Sequence, residues 1–535
     1  MKTPKMKFFR LILVAFVLFT CVTQAQNVGL RYNSNDVQEG YVLFTPEKNE
    51  NVYLIDQCGR VVNEWTFTEK PGLSCYLLED GTLLRAGKDS LEIRDWDNTL
   101  LWSYHVNGNG MNQHHDIEPL PNGNILMVIA DNYPVATMTD EGRDPSNTDN
   151  VFKLDKIVEI EPVGTNDANI VWEWKVIDHL VQDFDNTKQN YDVVEDHPEL
   201  IDVNYDNGYT GDFIHLNAID YNATLDQIVM SPRHFNEIWI IDHSTTTAEA
   251  AGHTGGNSGM GGDLLWRWGN PEAYRQGDST DRKLFLQHDP KWIPQGYPNE
   301  GMISVFNNGH QWGSNLSSIV VVAPEINAGN YVMTAGVFEP SDFTWEWTGQ
   351  ILGEDLAEGK KCGVQAQPNG NFLFCETSKG QGTEVKPDGT IVWTYKNPHG
   401  TTVYNQQDVI SNNDNGVFRF EKYPSSYAGF AGKDLTPGNL IESNNSVSND
   451  CIGGVNIKET EFSDLTIQNP VSSQGIIFSN QVKGADVKIF SITGALVYQG
   501  QITNSNILTV NLGAGTYLLE LRDQFAIKRF KLIRN

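Results

Sequence analysis

The segment Gln367–Leu373, QPNGNFL, followed by Ile391–Tyr395, IVWTY, decides the fold of this chain. Its Asn-Gly pair supplies the positive φ of a tight hairpin turn, and the strand that follows carries a tryptophan. Both phrases recur. The turn phrase also stands at 78–84 and 120–126, and the tryptophan phrase at 61–65, 100–104, 170–174, 264–268 and 343–347. Such a repeat indicates one supersecondary unit copied along the chain.

Six tryptophan phrases predict an all-β fold, a six-bladed β-propeller, because each four-stranded blade must cover its neighbour with large apolar side chains. Alternating strands and glycine turns resume after about Phe462 and predict a small C-terminal β-sandwich. Wider spacing between the middle phrases predicts long loops at 178–209 and 245–262. The second loop is rich in Gly, Thr and Ala, and we expect it to be disordered, without regular structure and without a role.

The two ends of the chain differ from its middle. Residues 1–25 place basic residues before the apolar run Leu11–Phe19 and end in a small residue, which is typical of a secretory signal peptide. Cys21 leaves a lipid anchor as the alternative. The predicted domains are the signal peptide at 1–25, the propeller at 26–441, an Asn- and Ser-rich linker at 442–461 and the C-terminal domain at 462–535.

The overall charge excludes one class of partner. The chain has 38 Lys and Arg against 68 Asp and Glu, a formal net charge of -30. Because acidic residues outnumber basic ones so strongly, we expect no broad basic surface. Nucleic acid is therefore not an expected partner. A site for a small anion must instead be built locally from a few histidine, arginine or backbone N–H groups.

Five of the six cysteines follow residue 25. In an oxidising compartment Cys58 with Cys75, or Cys362 with Cys375, could bridge neighbouring strands, and the odd number leaves one thiol free. No CxxC pair is present, so the sequence does not predict a zinc or redox site built from thiolates.

Five histidines stand in polar phrases that precede or begin a blade: His114, His115, His215, His234 and His288. The innermost strand of each blade lines the channel of a propeller, so these side chains are expected to converge near the axis. Imidazole can act as nucleophile or base, and Arg233 can bind two oxygens of a tetrahedral anion. The alternative is that the histidines only satisfy neighbouring backbone carbonyls.

A metal site at His114, His115 and Asp116 is not predicted, because adjacent residues of a strand point to opposite faces of the sheet. The run Asp202–Asp206 lacks the glycine of a calcium loop. No metal and no cofactor is therefore expected.

The phrases around His114–Asp116, Asp212–Asn217, Ser231–Asp242 and Gln287–His288, with Phe306–Gly309, resemble the arylsulfotransferase family over roughly Gly40 to Tyr427. The resemblance implies a six-bladed propeller that moves a sulfuryl group from a phenolic sulfate to a phenolic acceptor through a sulfated histidine, without a nucleotide donor. It implies that His215 and His288 are catalytic, holding sulfuryl oxygens and assisting proton transfer. The predicted substrate-binding residues are His114, His115, Asn217, Arg233, His234 and Asn308.

Two residues that the family pattern requires are missing. No arginine lies between Gly309 and Pro324, and no histidine lies between Gln311 and Pro398. Arg233 could replace the cation, and His310 or His399 the nucleophile. Whether the chain is an enzyme therefore stays open. The alternatives are a binding propeller that has lost its nucleophile and a quinone-dependent dehydrogenase-type propeller.

The C-terminal phrases 469–471, 487–494, 512–518 and 528–532 resemble the sorting domain of the type IX (Por) secretion system. The resemblance implies an outer-membrane secretion machinery as partner. It also implies passage through the periplasm, followed by release or attachment at the cell surface.

Overall fold

The computed structural model describes residues 27–309, 316–444, 466–467, 475–479, 485–491, 496–502, 507–522 and 527–534. The predicted signal peptide, Cys21, His310, Cys451 and most of the predicted linker lie outside these residues. Among the described residues, no helix is both long and apolar enough to cross a membrane.

The regular structure between residues 29 and 424 is almost entirely β. It contains six antiparallel sheets, numbered here in chain order. From the inner to the outer strand, sheet 1 has Val417–Pro424, Gly40–Pro46, Asn51–Ile55 and Val61–Thr66; sheet 2 has Pro71–Leu77, Leu83–Gly87, Ser90–Arg94 and Leu100–His105; sheet 3 has Gln113–Pro119, Ile125–Pro134, Val151–Val163 and Asp167–Lys175. Sheet 4 has Leu216–Asn222, Gln227–Pro232, Ile238–Asp242 and Trp266–Trp268; sheet 5 has His288–Trp292, Ile303–Asn307, Ser318–Val322 and Trp345–Trp347; sheet 6 has Gly363–Ala366, Phe372–Glu376, Gln381–Val385, Ile391–Lys396 and Gly29–Asn33.

The inner strands of consecutive sheets lie side by side and form a closed ring. The late strand Val417–Pro424 closes it, because it pairs with Gly40–Pro46 as the inner strand of the first sheet. The early strand Gly29–Asn33 pairs with Ile391–Lys396 and becomes the fifth strand of the last sheet. Both ends of the ring are therefore held by long-range pairing. The predicted β-propeller is confirmed, and the six sheets are consistent with six blades.

Every predicted tryptophan phrase forms or leads into the fourth strand of its sheet, counted from the inner strand. One indole N–H from each sheet donates a hydrogen bond to a carbonyl oxygen of the next sheet, located between its third and fourth strands or at the start of the fourth. The six pairs are Trp65 with Asp95, Trp102 with Asp167, Trp174 with Gly262, Trp266 with Glu339, Trp345 with Pro387 and Trp393 with Gln57. The repeat thus joins neighbouring sheets by a directional bond as well as by apolar packing.

The remaining short elements lie in the connections. The helices are α1 (Val135–Asp140), α2 (Thr247–Ala250) and the 3₁₀ turns Asn107–Asn109, Pro145–Asn147, Val176–His179, Val194–Asp196, Arg233–Phe235, Pro271–Tyr274, Thr377–Lys379 and Ala428–Phe430. Two-stranded sheets pair Leu180–Val181 with Ile201–Asp202, Ile326–Asn327 with Asn330–Tyr331, Met333–Thr334 with Val337–Phe338, and Gln350–Ile351 with Glu354–Asp355.

The expectation that loop 245–262 lacks regular structure is wrong. Thr246 and Glu249 form a capping box, in which each side chain bonds the backbone N–H of the other, and this box starts α2. The Trp174 indole also holds the end of the loop at Gly262.

The two predicted disulfides are wrong. Cys75, Cys362 and Cys375 are buried free thiols. Cys362 Sγ accepts the Thr377 N–H at 3.4 Å, while Cys375 Sγ donates to Val417 O at 3.2 Å, so each sulfur has a separate partner. Cys58 is disulfide-bonded, and its partner lies outside the described residues.

The C-terminal residues form a separate antiparallel sheet in the order Leu496–Gln501, Asp486–Ser491, Gly515–Arg522 and Ile527–Arg534, together with the pair Ile476–Ile477 and Ile507–Leu508. These strands have their own apolar cluster, which includes Phe478, Val487 and Leu519. This is consistent with the predicted C-terminal β domain, whose boundaries and sorting role stay predictions.

Candidate functional site at the channel mouth

Inner strands of sheets 3, 4 and 5 begin at one end of the ring, and each brings a histidine to that end. His114 and His115 lie at the start of Gln113–Pro119, His215 directly precedes Leu216, and His288 opens its strand. The ring centroids of His115 and His215 are 4.9 Å apart. Together with His234, whose ring lies 4.8 Å from that of His215, these residues are called the histidine cluster. The predicted convergence of the five histidines thus occurs between three sheets.

A left-handed backbone conformation turns these side chains toward one another. His115 has φ 58° and His215 has φ 56°. The strand register shifts across the segment 113–117 that contains His115, and between Leu216 and Ile219, directly after His215. Non-glycine residues seldom adopt this conformation, and it interrupts the alternation of side chains along a strand. The prediction that His114 and His115 point to opposite faces is therefore wrong, since their Nδ1 atoms lie 2.8 Å apart.

His215 forms a carboxylate–imidazole pair with Asp212. Its Nδ1–H donates to Asp212 Oδ2 at 2.6 Å, and Lys153 Nζ lies 3.0 Å from the other carboxylate oxygen. Burial opposes ionisation of this carboxyl, but the hydrogen bond and charge of His215, with the charge of Lys153, lower the pKa of Asp212 below its usual value. The carboxylate fixes the tautomer, so in the neutral form of His215 the lone pair lies on Nε2, which has no partner among the described residues.

A second chain of hydrogen bonds ends at His115. His114 Nε2–H donates to the fully buried Asp155 at 3.0 Å, which leaves His114 Nδ1 to accept from His115 Nδ1–H. The lone pair of His115 therefore lies on Nε2. Burial and the charges of neighbouring histidines hold the pKa of His115 well below its ordinary value, so this imidazole is neutral. A neutral imidazole with a free nitrogen can accept a proton or attack an electrophile.

Both ring nitrogens of His288 are occupied by protein groups. Nδ1–H donates to Asn308 Oδ1 at 2.7 Å, and Nε2 accepts the backbone N–H of Lys361 at 3.0 Å. Asn308 Nδ2 in turn donates to Glu358 O and Lys361 O. Burial lowers the pKa of His288 well below its usual value. These contacts place His288 and Asn308 as residues that hold the segment 358–361 against the channel.

The other predicted substrate-binding residues are also engaged. Asn217 is fully buried and donates to Gln287 O at 2.8 Å. Arg233 Nη1 donates to His234 Nε2 at 3.0 Å, and His234 Nδ1–H donates to Asp212 O at 2.6 Å. Burial lowers the pKa of His234 to about 3. Arg233 and His234 lie in the turn between the second and third strands of sheet 4, so the prediction that their phrase precedes or begins a blade is wrong.

Sequence reasoning missed Asp212, Asp155 and Arg419 as members of the site. Arg419, on the closing strand, donates from Nη1 to both carboxylate oxygens of Asp116 at 2.9 and 2.8 Å, and its Nε lies 3.0 Å from Asp289 Oδ1. Its Nη2 is buried and has no hydrogen-bond partner among the described residues. Arg419 therefore supplies a buried guanidinium next to His288. The family pattern expected a cation from a different part of the chain, shortly after Gly309. The family resemblance over Gly40 to Tyr427 includes the phrase Val417–Phe420, and the arginine in that phrase is the sequence signal for this residue.

Of the two histidines that could replace a missing nucleophile, His399 is the one among the described residues, and it does not join this cluster. His399 Nδ1 bonds the Tyr53 hydroxyl at 2.7 Å, and His310 lies outside the described residues.

The sequence analysis did not foresee a group of possible metal ligands inside the histidine cluster. One ligand atom each from Asp212, His215 and His234 lie within 4.8 Å of one another, close enough to share a cation, although hydrogen bonds already join them.

Comparison with known proteins gives one family. The model of the family described as "Arylsulfotransferase (ASST)" matches residues 29–331. No curated protein matches. Among solved structures, a Bacteroides caccae protein of unknown function is 12% identical, with 67% of this chain and 94% of that chain covered and a TM-score of 0.34. Virginiamycin B lyase from Staphylococcus aureus is 11% identical, with 74% and 96% covered and a TM-score of 0.34. Similarities at this level carry no argument about function.

Proposed function

This chain belongs to the arylsulfotransferase family, and from that premise we propose that its histidine cluster transfers a sulfuryl group from an aryl sulfate to a phenolic acceptor. The donor and the acceptor are small phenolic molecules, and no nucleotide takes part. The observation that carries the proposal is the 2.6 Å hydrogen bond from His215 Nδ1–H to Asp212, which leaves His215 Nε2 without a partner among the described residues.

In the first half of the reaction His215 Nε2 attacks the sulfur. An N–S bond forms, the S–O bond to the aryl group breaks, and the electron pair leaves on the phenolate, which takes a proton from solvent. The imidazole carries a positive charge while sulfated. Because the pKa of Asp212 is low, its carboxylate stays ionised and stabilises that charge through the Nδ1–H bond.

In the second half the acceptor phenol binds and gives its proton to His115 Nε2. Its oxygen attacks the sulfur, the N–S bond breaks, and the electron pair returns to His215 Nε2. His115 then releases the proton to solvent, as its low pKa favours. Lys153, Arg233 and Arg419 are cations next to the cluster that can attract the sulfuryl oxygens.

A second candidate is a binding propeller without catalysis. The occupied nitrogens of His288 favour it, because a histidine bonded to Asn308 and to the Lys361 N–H has no free nitrogen for a sulfuryl oxygen.

The test is release of a coloured phenol from an aryl sulfate, with and without a second phenol. Release stimulated by the second phenol, and lost in His215→Ala, supports transfer through His215. The matched control is His197→Ala, which removes another half-buried histidine with a 2.8 Å bond to a carboxylate, Glu199. No release from several donors, by a protein that still binds them, would favour the binding propeller.

We also propose that the chain is exported, with residues 1–25 as the signal and 462–535 as the sorting domain. The expected partner is an outer-membrane secretion machinery, and the expected location is the medium or the cell surface. The basic phrase 528–532 and the type IX resemblance support this proposal. In a host with that machinery, a chain ending at residue 461 should accumulate in the periplasm, whereas the full-length chain should be secreted. Equal secretion of the shortened and the full-length chain would contradict the proposed sorting role.

A further inference from the structure

A second group of chemically active side chains lies apart from the histidine cluster, between the outer edges of sheets 3 and 4. His179 ends the 3₁₀ turn after the outer strand of sheet 3, His253 lies in loop 245–262, and Asp263 follows that loop. His179 Nδ1 lies 2.9 Å, and His253 Nδ1 2.8 Å, from the same oxygen, Asp263 Oδ1. All three atoms lie within 4.8 Å of one another.

The hydrogen bonds of His179 decide which of its ring nitrogens carries a proton, and they place Nδ1 toward Asp263 Oδ1. His179 Nε2 lies 2.8 Å from the carbonyl oxygen of Ala250, and a carbonyl oxygen only accepts, so Nε2 carries a proton. In a neutral imidazole the lone pair is then on Nδ1, where it faces the Asp263 carboxylate oxygen. Two electron-rich atoms at 2.9 Å repel each other unless a proton or a cation lies between them.

The carboxylate of Asp263 also lacks another source of positive charge. Its side chain is 7% exposed, and among the described residues its ionic partners are the two histidines alone, without a lysine or arginine. A buried carboxylate needs a compensating positive group. Two imidazole nitrogens and one carboxylate oxygen directed at one place form the donor set that zinc takes in proteins, whereas calcium and magnesium prefer oxygen donors.

The surroundings match those of a metal ligand. The Ala250 carbonyl orients His179 from behind, as an outer hydrogen bond does for a metal-bound histidine, and the Trp174 ring stacks on it at 5.4 Å. His179 is fully buried, while the His253 side chain is 60% exposed, so one side of the group is open to solvent. That side admits an ion and leaves room for water as a further ligand.

We propose that His179 Nδ1, His253 Nδ1 and Asp263 Oδ1 bind one Zn²⁺ ion, which ties loop 245–262 to the edge of sheet 3. The ion replaces the shared hydrogen bonds, and each ligand atom moves outward by a few tenths of an ångström to reach a bond of about 2.0 to 2.1 Å. The role is structural. It is independent of sulfuryl transfer, because none of the three residues belongs to the histidine cluster.

The test is zinc binding by calorimetry on full-length protein without a polyhistidine tag, after treatment with EDTA. Asp212, His215 and His234 form the other possible group, so the comparison uses His215→Ala as the background. That variant should bind one equivalent of Zn²⁺, and neither Mg²⁺ nor Ca²⁺ should compete. Adding His253→Ala should weaken this binding by on the order of 100-fold or more. Adding His105→Ala, which removes another exposed histidine, should leave it unchanged.

A second measurement separates the loss of a ligand from misfolding. His253 is the most exposed of the three, so without zinc the His253→Ala protein should stay folded, with a melting temperature only slightly below that of the unchanged chain. Zinc should raise the melting temperature of the unchanged chain and not that of His253→Ala. Equal zinc binding with and without His253, or no zinc binding in the His215→Ala background, would overturn the proposal and leave Asp263 in an ion pair with protonated histidines.

Discussion

The Trp393 indole N–H donates to the Gln57 carbonyl oxygen at 2.9 Å, which joins the last sheet of the ring to the first. The same bond occurs at each of the five other junctions. Because Trp393 is fully buried, both of its contributions, apolar burial and the hydrogen bond, act inside the core.

Replacing this indole should weaken the closure of the ring. Trp393→Phe keeps an aromatic ring but leaves a cavity and removes the donor to Gln57. We expect a loss of about 2 to 3 kcal/mol in the free energy of unfolding, measured by chemical denaturation. Trp345→Phe removes the corresponding bond to Pro387 from a partly exposed indole and should cost about 1 kcal/mol or less. Equal losses in the two variants would show that burial does not decide the effect.

Changing the partner of His215 should affect catalysis more than folding. In Asp212→Asn the amide can no longer fix the tautomer by charge or stabilise a sulfated imidazolium. We expect kcat for aryl sulfate turnover to fall by about 100-fold or more, with a small change in KM. The melting temperature and the His197→Ala control check that the fold is intact. Unchanged kcat would exclude the Asp212–His215 pair from the reaction.

Stability should depend on pH through a carboxyl group deeper in the channel. Burial raises the pKa of Asp220 to about 7, with help from the charges of Asp289 and Asp116 and against the charge of Lys291. In the unfolded chain this carboxyl has its ordinary pKa near 4. Between about pH 4 and pH 7 the folded state therefore binds more protons, so its stability falls as the pH rises through this window.

The variant Asp220→Asn isolates that contribution. It removes the titrating group and keeps an acceptor for the Trp292 N–H, which now bonds Asp220 at 2.8 Å. Urea unfolding at pH 5 and pH 8 should show a decrease in stability for the unchanged chain that is larger by about 1 kcal/mol or more than for Asp220→Asn. Identical decreases would assign the pH dependence to other groups, such as the neighbouring Glu118.

Loop 245–262 should tolerate a methyl group at one glycine and not at another. A Cβ at Gly262 would lie 2.0 Å from Ala250 O and 2.7 Å from His179 Nε2. Gly262→Ala should therefore displace the loop, weaken the proposed zinc binding and cost about 1 to 3 kcal/mol. At Gly252 the nearest atoms are 3.7 Å away, so Gly252→Ala is the matched control and should have little effect. Zinc titration and thermal unfolding of both variants would measure the difference.

The sequence by itself determined the class of fold and the positions of the strands that carry the repeated tryptophans. A turn such as Asn369-Gly370 and a strand around Trp393 are local patterns, because the hairpin and the alternation involve residues a few positions apart. The sequence also predicted that His115, His215 and His288 belong to one channel, since inner strands share an axis. The sequence analysis misplaced the phrase of Arg233 within its sheet and paired the wrong cysteines. Both depend on which distant strands come together, and not only on neighbours in the sequence.

Only the tertiary structure decided which nitrogen of each histidine is free, and which charges surround it. Arg419 and Asp116 are 303 residues apart in the chain, and His179 and Asp263 are 84 apart. The left-handed backbone at His115 and His215 likewise depends on how the inner strands meet around the axis, and it reverses the direction that strand alternation predicts. The periodicity of a sequence indicates which face of a strand packs inward. A hydrogen bond between two side chains requires in addition that the donor and acceptor atoms, here from distant parts of the chain, approach within about 3 Å.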